Sequence, residues 1–442
     1  MITEDILAKI KEDGVQFITL QFTDLLGVVK EIIIPASGAQ SAIDSGVWFD
    51  GSSIEGFARI QESDLFLKPD LSTYSIVPWL AQNGKTARLI CDIYRPDGGP
   101  FEGDPRSILK KIINQAHQAG IEPKMGPEAE FYLFKDEAEA QHKPIDYSGY
   151  FDFSSHQGYK FIKEVASALG QFGIEVETSH HEVGQGQYEI DFKYGNALEI
   201  ADKVLTLKYT VKKIAQIHGL RATFIPKPIM GAAGSGMHIH QSLFDRQSGQ
   251  NLFYDPNDHY HLSDTAYRFI AGQIKHIKAM SAILCPTVNS YKRLVSGFEA
   301  PVYITWAGMN RSALIRIPRF HKDKPDAARI ELRCPDPTCN PYLAFAVMIA
   351  SGLEGIKEKI AAPTAVEENV YDFDGEDLRH KKIDTLPTSL KEALEQAKNS
   401  PLIKQVLGES LLEKYFYIKS EEWNEYSSQV TDWEIKKYSD IY

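Results

Sequence analysis

Four short stretches of the chain carry the residue types that could do chemistry. In Gly126-Pro127-Glu128-Ala129-Glu130-Phe131-Tyr132-Leu133-Phe134, side chains on a strand would alternate. Glu128 and Glu130 then share one face, with Ala129, Phe131 and Leu133 on the other. The same parity in Gln187-Tyr188-Glu189-Ile190-Asp191-Phe192 sets Glu189 and Asp191 against Tyr188, Ile190 and Phe192. In Met237 to Leu243, His238, His240 and Ser242 share a face; in Arg329 to Arg333, Arg329, Glu331 and Arg333 oppose Ile330 and Leu332. The wet side of a half-exposed sheet would account for any one of these strands. Four of them, carrying Glu, His and Arg where wet faces favour Lys, Thr and Ser, weaken that explanation.

If the four strands lie in one sheet, carboxylates at about 5 Å repel by roughly 3 kcal/mol each at an effective dielectric near 20. Glu128, Glu130, Glu189 and Glu331 would then need cations or raised pKa values. One imidazole among several carboxylates is a hard, oxygen-rich donor set, suited to Mg²⁺ or Mn²⁺ and not to the Cys and His sites zinc favours. Arg329 and Arg333 alongside fit the clamping of phosphate or carboxylate. Together these residues point to metal-assisted phosphoryl transfer, where catalysis is positioning and charge neutralisation.

The elements that must hold these strands are legible in outline. Thr3 reads as a helix cap and Gly14 as that helix's stop. Val15–Phe22 and Val28–Ile34 read as strands around a turn at Asp24-Leu25-Leu26-Gly27, with a further strand at 87–94. The stretch 95–105 holds Pro96, Gly98, Gly99, Pro100, Gly103 and Pro105, which resist both helix and central strand. Asp104 then caps a helix with Pro105 at its first position and Gly120 past its end. Long helices are expected at 196–218, 263–284 and 341–359. The expected division is a small α+β domain over 1–100 and a large catalytic domain over 101–442.

Composition limits the function classes. The 442 residues carry 48 Lys plus Arg against 60 Asp plus Glu, a net charge of −12. That counts against a nucleic-acid binder, which wants a basic footprint. No apolar run approaches the roughly 20 residues of a membrane span. Four cysteines are too few for a disulfide framework, and the acids at Glu4 and Asp5 stand where a signal peptide would carry bases. The expectation is a cytoplasmic enzyme. Gly84-Lys85-Thr86 lacks the upstream glycine of a P-loop, Gly184-Gln185-Gly186 lacks the third glycine of a dinucleotide fingerprint, and Asp372-Phe373-Asp374-Gly375 has its glycine too early for a calcium loop.

Seven longer motifs contain or flank these residues: Phe49-Asp50-Gly51-Ser52-Ser53-Ile54-Glu55-Gly56-Phe57, Gly126-Pro127-Glu128-Ala129-Glu130, His180-His181-Glu182-Val183, Gly234-Ser235-Gly236-Met237-His238, Asn289-Ser290-Tyr291-Lys292-Arg293-Leu294, Asn310-Arg311-Ser312 and Arg329-Ile330-Glu331-Leu332-Arg333. Through them the chain resembles glutamine synthetase of the bacterial and archaeal type I, in its shorter, non-adenylylated subtype. The likeness runs from about residue 15 to Tyr442. The resemblance implies an α+β fold: a small N-terminal β-grasp-like domain, then a large catalytic domain with a curved antiparallel sheet flanked by helices. It implies ATP-dependent ligation of ammonia to glutamate through a γ-glutamyl phosphate, with ATP as co-substrate and two or more Mg²⁺ or Mn²⁺ ions per site.

By the same resemblance one metal site maps to Glu130, Glu182 and Glu189 and the other to Glu128, His238 and Glu331. Asp50 matches the base that deprotonates ammonium, with Ser53, Tyr150 and Glu182 around that pocket. Glu299 matches a lid that shields the acyl phosphate, within Ser296-Gly297-Phe298-Glu299-Ala300-Pro301. Arg293, Arg311, Arg333 and Gly234 match substrate contacts. Glu177, His240, Ser242, Arg316 and Arg329 match nucleotide contacts. Arg59 resembles a feedback-sensing arginine, and a small regulatory protein is a candidate controller. The implied assembly is two stacked six-membered rings, a neighbour supplying Asp50 and the C-terminal segment reaching the opposing ring. Two positions depart from the family: Ala233 stands where Asn is common, and Ser296 where Pro is common. The competing readings are a sister ligase joining glutamate to a larger amine, and a silent scaffold; the latter would be marked by lost metal ligands, and all six are present.

Overall fold

The computed structural model describes residues 3–54, 56, 64–80, 84–136, 143–153, 155–297 and 300–442; of Ser53 only the backbone is described. Arg59 and Glu299 lie outside the described residues. A first sheet is built from β1 (Val15–Thr23), β2 (Val29–Pro35), β3 (Val47–Asp50), β4 (Asp64–Ile76) and β5 (Lys85–Tyr94), in the order β2-β1-β5-β4-β3. β1 and β5 run parallel at its centre and every other pair is antiparallel. Its apolar face packs with Ile6 and Ile10 of the helix Thr3–Glu12 into a core of its own. Thr3 lies within that helix, where a cap had been expected, and Glu4 and Asp5 occupy its first turn. The expected turn is present: Asp24 Oδ1 accepts the backbone N–H groups of Leu26 (3.0 Å) and Val28 (2.8 Å), and Gly27 sits at φ +82°. This turn also docks the sheet. Asn340 Nδ2 donates to the carbonyls of Asp24 and Leu25, and Leu25 joins the larger core.

The second sheet comprises β6 (Ile121–Lys135), β7 (Val176–His181), β8 (Gln187–Phe192), β9 (Gly195–Asn196), β10 (Leu220–Thr223), β11 (Met237–Asp245), β12 (Trp306–Ala307), β13 (Ile315–Arg316) and β14 (Ile330–Leu332). Its order is β12-β13-β14-β11-β6-β8-β7, with β9 and β10 also on β6. Only β12–β13 is parallel. The helix Pro105–Gln118 starts as its sequence predicts, with the Asp104 side chain accepting the Arg106 N–H and Pro105 at the first position. The long helices fall at Ala197–Ile217, Asp264–Leu284 and Pro341–Lys357. Among the described residues none is long and apolar enough to cross a membrane. Asp374 is a helix cap, accepting the N–H groups of Glu376 and Asp377, and all four cysteines are buried and free.

The helices Asp264–Leu284 and Pro341–Lys357 meet through glycines. A Cβ on Gly272 would lie 2.1 Å from the Ser351 carbonyl oxygen, and one on Gly355 2.1 Å from that of Arg268. Backbone cannot yield as a side-chain tip can. Gly272→Ala is therefore expected to destabilise the protein by about 1–3 kcal/mol through overpacking. Equal denaturation midpoints for variant and parent would refute the tight crossing.

Candidate active site

The sheet order brings the four sequence-defined strands together. β6 lies between β11 and β8, so Glu128 faces His238 on one side and Asp191 on the other, and Glu130 faces Glu189. β14 and β7 extend the row: His240 pairs with Glu331, and His180 with Glu189. The alternate faces are apolar, and Phe131, Tyr188, Ile190, Ile239 and Leu332 are all fully buried. Burial of that face fixes the register, and the register directs the charged residues to the opposite side.

Two groups of close ligand atoms result. Glu128, His238 and Glu331 each offer an atom within 4.8 Å of the others, as do His180, Glu182 and Glu189. In the first group His238 Nδ1 stands 3.4 Å from Glu128 and 3.7 Å from Glu331. In the second His180 Nε2 is 2.9 Å from Glu182 and 3.5 Å from Glu189. The resemblance joins Glu130 to Glu182 and Glu189, and His180 is the third close donor here. Glu130 lies between the groups, 4.0 Å from His238 Nε2 and accepting a 2.8 Å hydrogen bond from Gln187 Nε2. His180 and Gln187 were missed as individuals. Parity could have found His180, since residues two apart on a strand share a face and Glu182 is two further on.

The electrostatics are those of too many carboxylates for the charge around them. Burial, with the charge of Glu182, pushes Glu130 up to about 8. Burial, with the charges of Glu130 and Asp191, pushes Glu189 to about 11. Asp191 rises to about 6, first by burial, and its Oδ1 is buried without a hydrogen-bond partner. Glu128 goes the other way: burial raises it, but hydrogen bonds from His238 and His240 outweigh this and hold it well below the usual range. Glu331 is fully buried between Arg333 (2.5 Å) and Arg316 (2.6 Å). Two oxygen-rich groups with one imidazole each, and an orphaned carboxylate oxygen beside them, fit hard divalent cations.

Both groups open on a cavity of about 980 Å³. Of the sequence-predicted residues, Glu128, Glu130, Glu182, Glu189, His238, Tyr150, Gly234, Arg293, Arg311, Arg316 and Arg333 line it. Tyr150 and Arg311 are neighbours in this lining. His240 sits just behind, 2.5 Å from Glu128 and accepting from Arg329 Nε at 3.3 Å. Glu177 acts on Arg329 through its charge, and Ser242 is buried further along β11. Arg293 is 4% exposed and donates to the carbonyls of Cys334 (2.7 Å) and Arg333 (3.0 Å). Gly234 and Gly236 are required beside it, since a Cβ on either would come within 2.7 Å of the Arg293 side chain. The Ala233 carbonyl accepts the Tyr132 hydroxyl at 2.7 Å, and Ala233 itself lines the cavity. Asp50 is exposed in the other sheet and does not line the cavity of its own chain.

The family model of the glutamine synthetase catalytic domain matches residues 102–438, and that of the glutamine synthetase β-grasp domain matches 14–96. The chain belongs to the glutamine synthetase family. It is 48% identical over 442 residues to the glutamine synthetase of Clostridium saccharobutylicum, covering 99% of each chain. To that of Methanosarcina mazei it is 47% identical, covering 98% and 97%. Among solved structures it is similar to GmaS in complex with ADP, with a TM-score of 0.89 at 32% identity and 99% and 100% coverage. It is also similar to the Plasmodium falciparum glutamine synthetase, with a TM-score of 0.88 at 26% identity and 99% coverage of both chains. The β-grasp and catalytic parts of the family correspond to the two sheets described above, and the family is one of ligases.

Proposed function

We propose that this chain joins ammonia to L-glutamate at the cost of ATP, releasing L-glutamine, ADP and phosphate. The observation that carries the reading is the pair of three-ligand groups opening on one arginine-lined cavity in a chain of the glutamine synthetase family. A γ-carboxylate oxygen of glutamate attacks the γ-phosphorus of ATP and ADP departs. Ammonia then attacks the acyl carbon, and phosphate leaves as the amide forms. Two Mg²⁺ or Mn²⁺ ions, when bound, supply charge neutralisation for the phosphates and the glutamate carboxylate. One would be held by Glu128, His238 and Glu331; the other by Glu182 and Glu189 with Glu130 and His180.

The remaining roles follow the chemistry of the lining. Arg333, Arg311 and Arg293 hold the acid substrate and the transferred phosphoryl group, with Gly234 giving close backbone approach. Arg316, Arg329, His240, Ser242 and Glu177 serve the nucleotide. Asp50 accepts the proton of ammonium. Hydrogen bonds from Ser52 keep its carboxyl below the ordinary value, so it stays ionised and attracts the cation. Asp50 stands away from its own chain's cavity, which supports a site shared between subunits of a double-ring dodecamer. Ser53 and Tyr150 complete the ammonium pocket, Glu299 covers the intermediate, and Arg59 senses product. The division at 1–100 and 101–442, a cytoplasmic location and control by a small protein belong to the same reading.

The test is phosphate release from ATP with Mg²⁺ and glutamate, comparing ammonium with a panel of amines. Release driven by ammonium, with glutamine formed, is expected. Release only with a larger amine would replace this reading by the sister ligase. Asp50→Ala is expected to slow amide formation by at least about 10²-fold, the scale of a lost general base, while ATP binding stays at the parental level. An unchanged rate would remove Asp50 from the mechanism.

A further inference from the structure

Behind the hairpin that carries Glu182 lies a buried polar network that the reaction does not touch. Asp146 is 8% exposed and His181 1%. Asp146 Oδ1 accepts His181 Nε2 at 2.8 Å and the Gly186 N–H at 3.2 Å. Its Oδ2 accepts the Tyr188 hydroxyl at 2.5 Å and the Ser155 hydroxyl at 3.2 Å. Four donors fill the acceptor capacity of one carboxylate. Space is kept for the arrangement, since a Cβ on Gly158 would lie 2.0 Å from the Tyr188 hydroxyl.

The other ring nitrogen of His181 gives the network its direction. Nδ1 donates to the Glu182 carbonyl oxygen at 2.7 Å. The imidazole therefore spans from a buried carboxylate to the backbone of a residue whose side chain faces the cavity. His181 ends β7 with its side chain buried against Asp146, and Glu182, the next residue, lines the cavity. The Glu182 N–H donates to the Gln187 carbonyl at 2.8 Å, while the Gln187 side chain reaches Glu130 and the Gly234 carbonyl. Asp146 thus grips both legs of the hairpin, at His181 and at Gly186 and Tyr188, and the residues between them carry Glu182.

We propose that Asp146 is a positioning residue: through His181 it fixes the Glu182 peptide and so aims the Glu182 carboxylate at His180 and Glu189. The proposal rests on the reading of that group as a cation site. Groups that orient a ligand from behind commonly contribute 10–100-fold to metal affinity. Asn at position 146 keeps the shape but not the charge, and its amide offers one carbonyl oxygen where the carboxylate offers two.

The experiment is Mn²⁺ binding to the full-length protein, followed by the electron paramagnetic resonance of free Mn²⁺, with thermal denaturation of the metal-free protein in parallel. Asp146→Asn is expected to weaken one class of Mn²⁺ site by about 10–100-fold. Tyr188→Phe removes one bond from Asp146 without breaking the link to Glu182. It is expected to lower the melting temperature while leaving Mn²⁺ affinity within about twofold of the parent, a distinction a merely structural role for Asp146 would not give. Glu182→Gln, which removes the ligand itself, is the reference. Weakened binding in Glu182→Gln but parental binding in folded Asp146→Asn overturns the positioning role alone. Parental binding in both overturns the metal reading with it. Should Asp146→Asn not fold, His181→Gln breaks the same link from its other end and carries the same expected loss and the same overturning result.

Discussion

Glu189→Gln is expected to lower turnover by at least about 10²-fold, about 2.7 kcal/mol in the barrier, and at the same time to stabilise the metal-free protein. The two effects have one cause. Glu189 is buried among Glu130, Asp191, Glu128 and Glu182, and burial together with these charges lifts its carboxyl to about 11. Metal-free and folded, it must take up a proton at neutral pH that the unfolded chain does not hold. A folded pKa above the unfolded one gives stability that is complete below the unfolded value, about 4.3, and is lost as pH rises toward the folded value. Glutamine has the same shape and no proton to take up. The advantage of the variant should therefore be absent near pH 4 and grow with pH toward 11. Divalent cation should reverse the order, stabilising the parent more than the variant by binding its folded state. Denaturation across pH, with and without Mg²⁺, reads both. A variant less stable than the parent at pH 8 without metal would show that the carboxylates do not repel as described.

The second large effect is on the join between the first sheet and the helices beside it. Arg106 is 2% exposed and donates to three carboxylates: Asp202 through Nε (3.0 Å) and Nη2 (2.9 Å), Asp92 through Nη1 (2.7 Å) and Asp70 through Nη2 (2.8 Å). Asp70 and Asp92 belong to β4 and β5 of the first sheet. Asp202 lies on the helix Ala197–Ile217 and also accepts the Tyr342 hydroxyl at 2.6 Å. Removing the guanidinium leaves Asp202 buried with Tyr342 as its remaining polar partner, and leaves Asp92 with Lys110. Arg106→Ala is expected to cost about 3–5 kcal/mol, the range for breaking a buried pair from one side. Arg106→Lys keeps the charge but not the fork, and should fall between. Because the network ties the first sheet to the helices Pro105–Gln118 and Ala197–Ile217, calorimetry of Arg106→Ala should show the first sheet melting ahead of the rest. A single transition displaced by under about 1 kcal/mol would mean the carboxylates are well solvated without their cation.

Local physics explains what could be read without a structure. The Asp24–Gly27 turn, the Asp104-Pro105 helix start and the alternation of Glu128 and Glu130 against Phe131 each depend on a few neighbours in the chain. A side-chain oxygen within reach of a free N–H, a fixed φ and a period of two suffice. The set of carboxylates and histidines was legible for the same reason, since parity sorts each strand into a wet and a dry face. The division of the carboxylates and histidines into two groups was carried by resemblance, and in the structure His180 lies close to Glu182 and Glu189 while Glu130 lies between the groups.

Sequence by itself therefore determined which residues share a face, where several elements begin and end, and which family the chain belongs to. Tertiary structure alone decided that β6 lies between β11 and β8, so that Glu128 meets His238 and Glu130 meets Glu189. It alone joined Arg106 to aspartates 36 and 96 residues away and set Asp146 behind Glu182 through His181. Strand neighbours and buried ion pairs are chosen by which apolar faces can be buried together, a property of the whole chain that no short window contains.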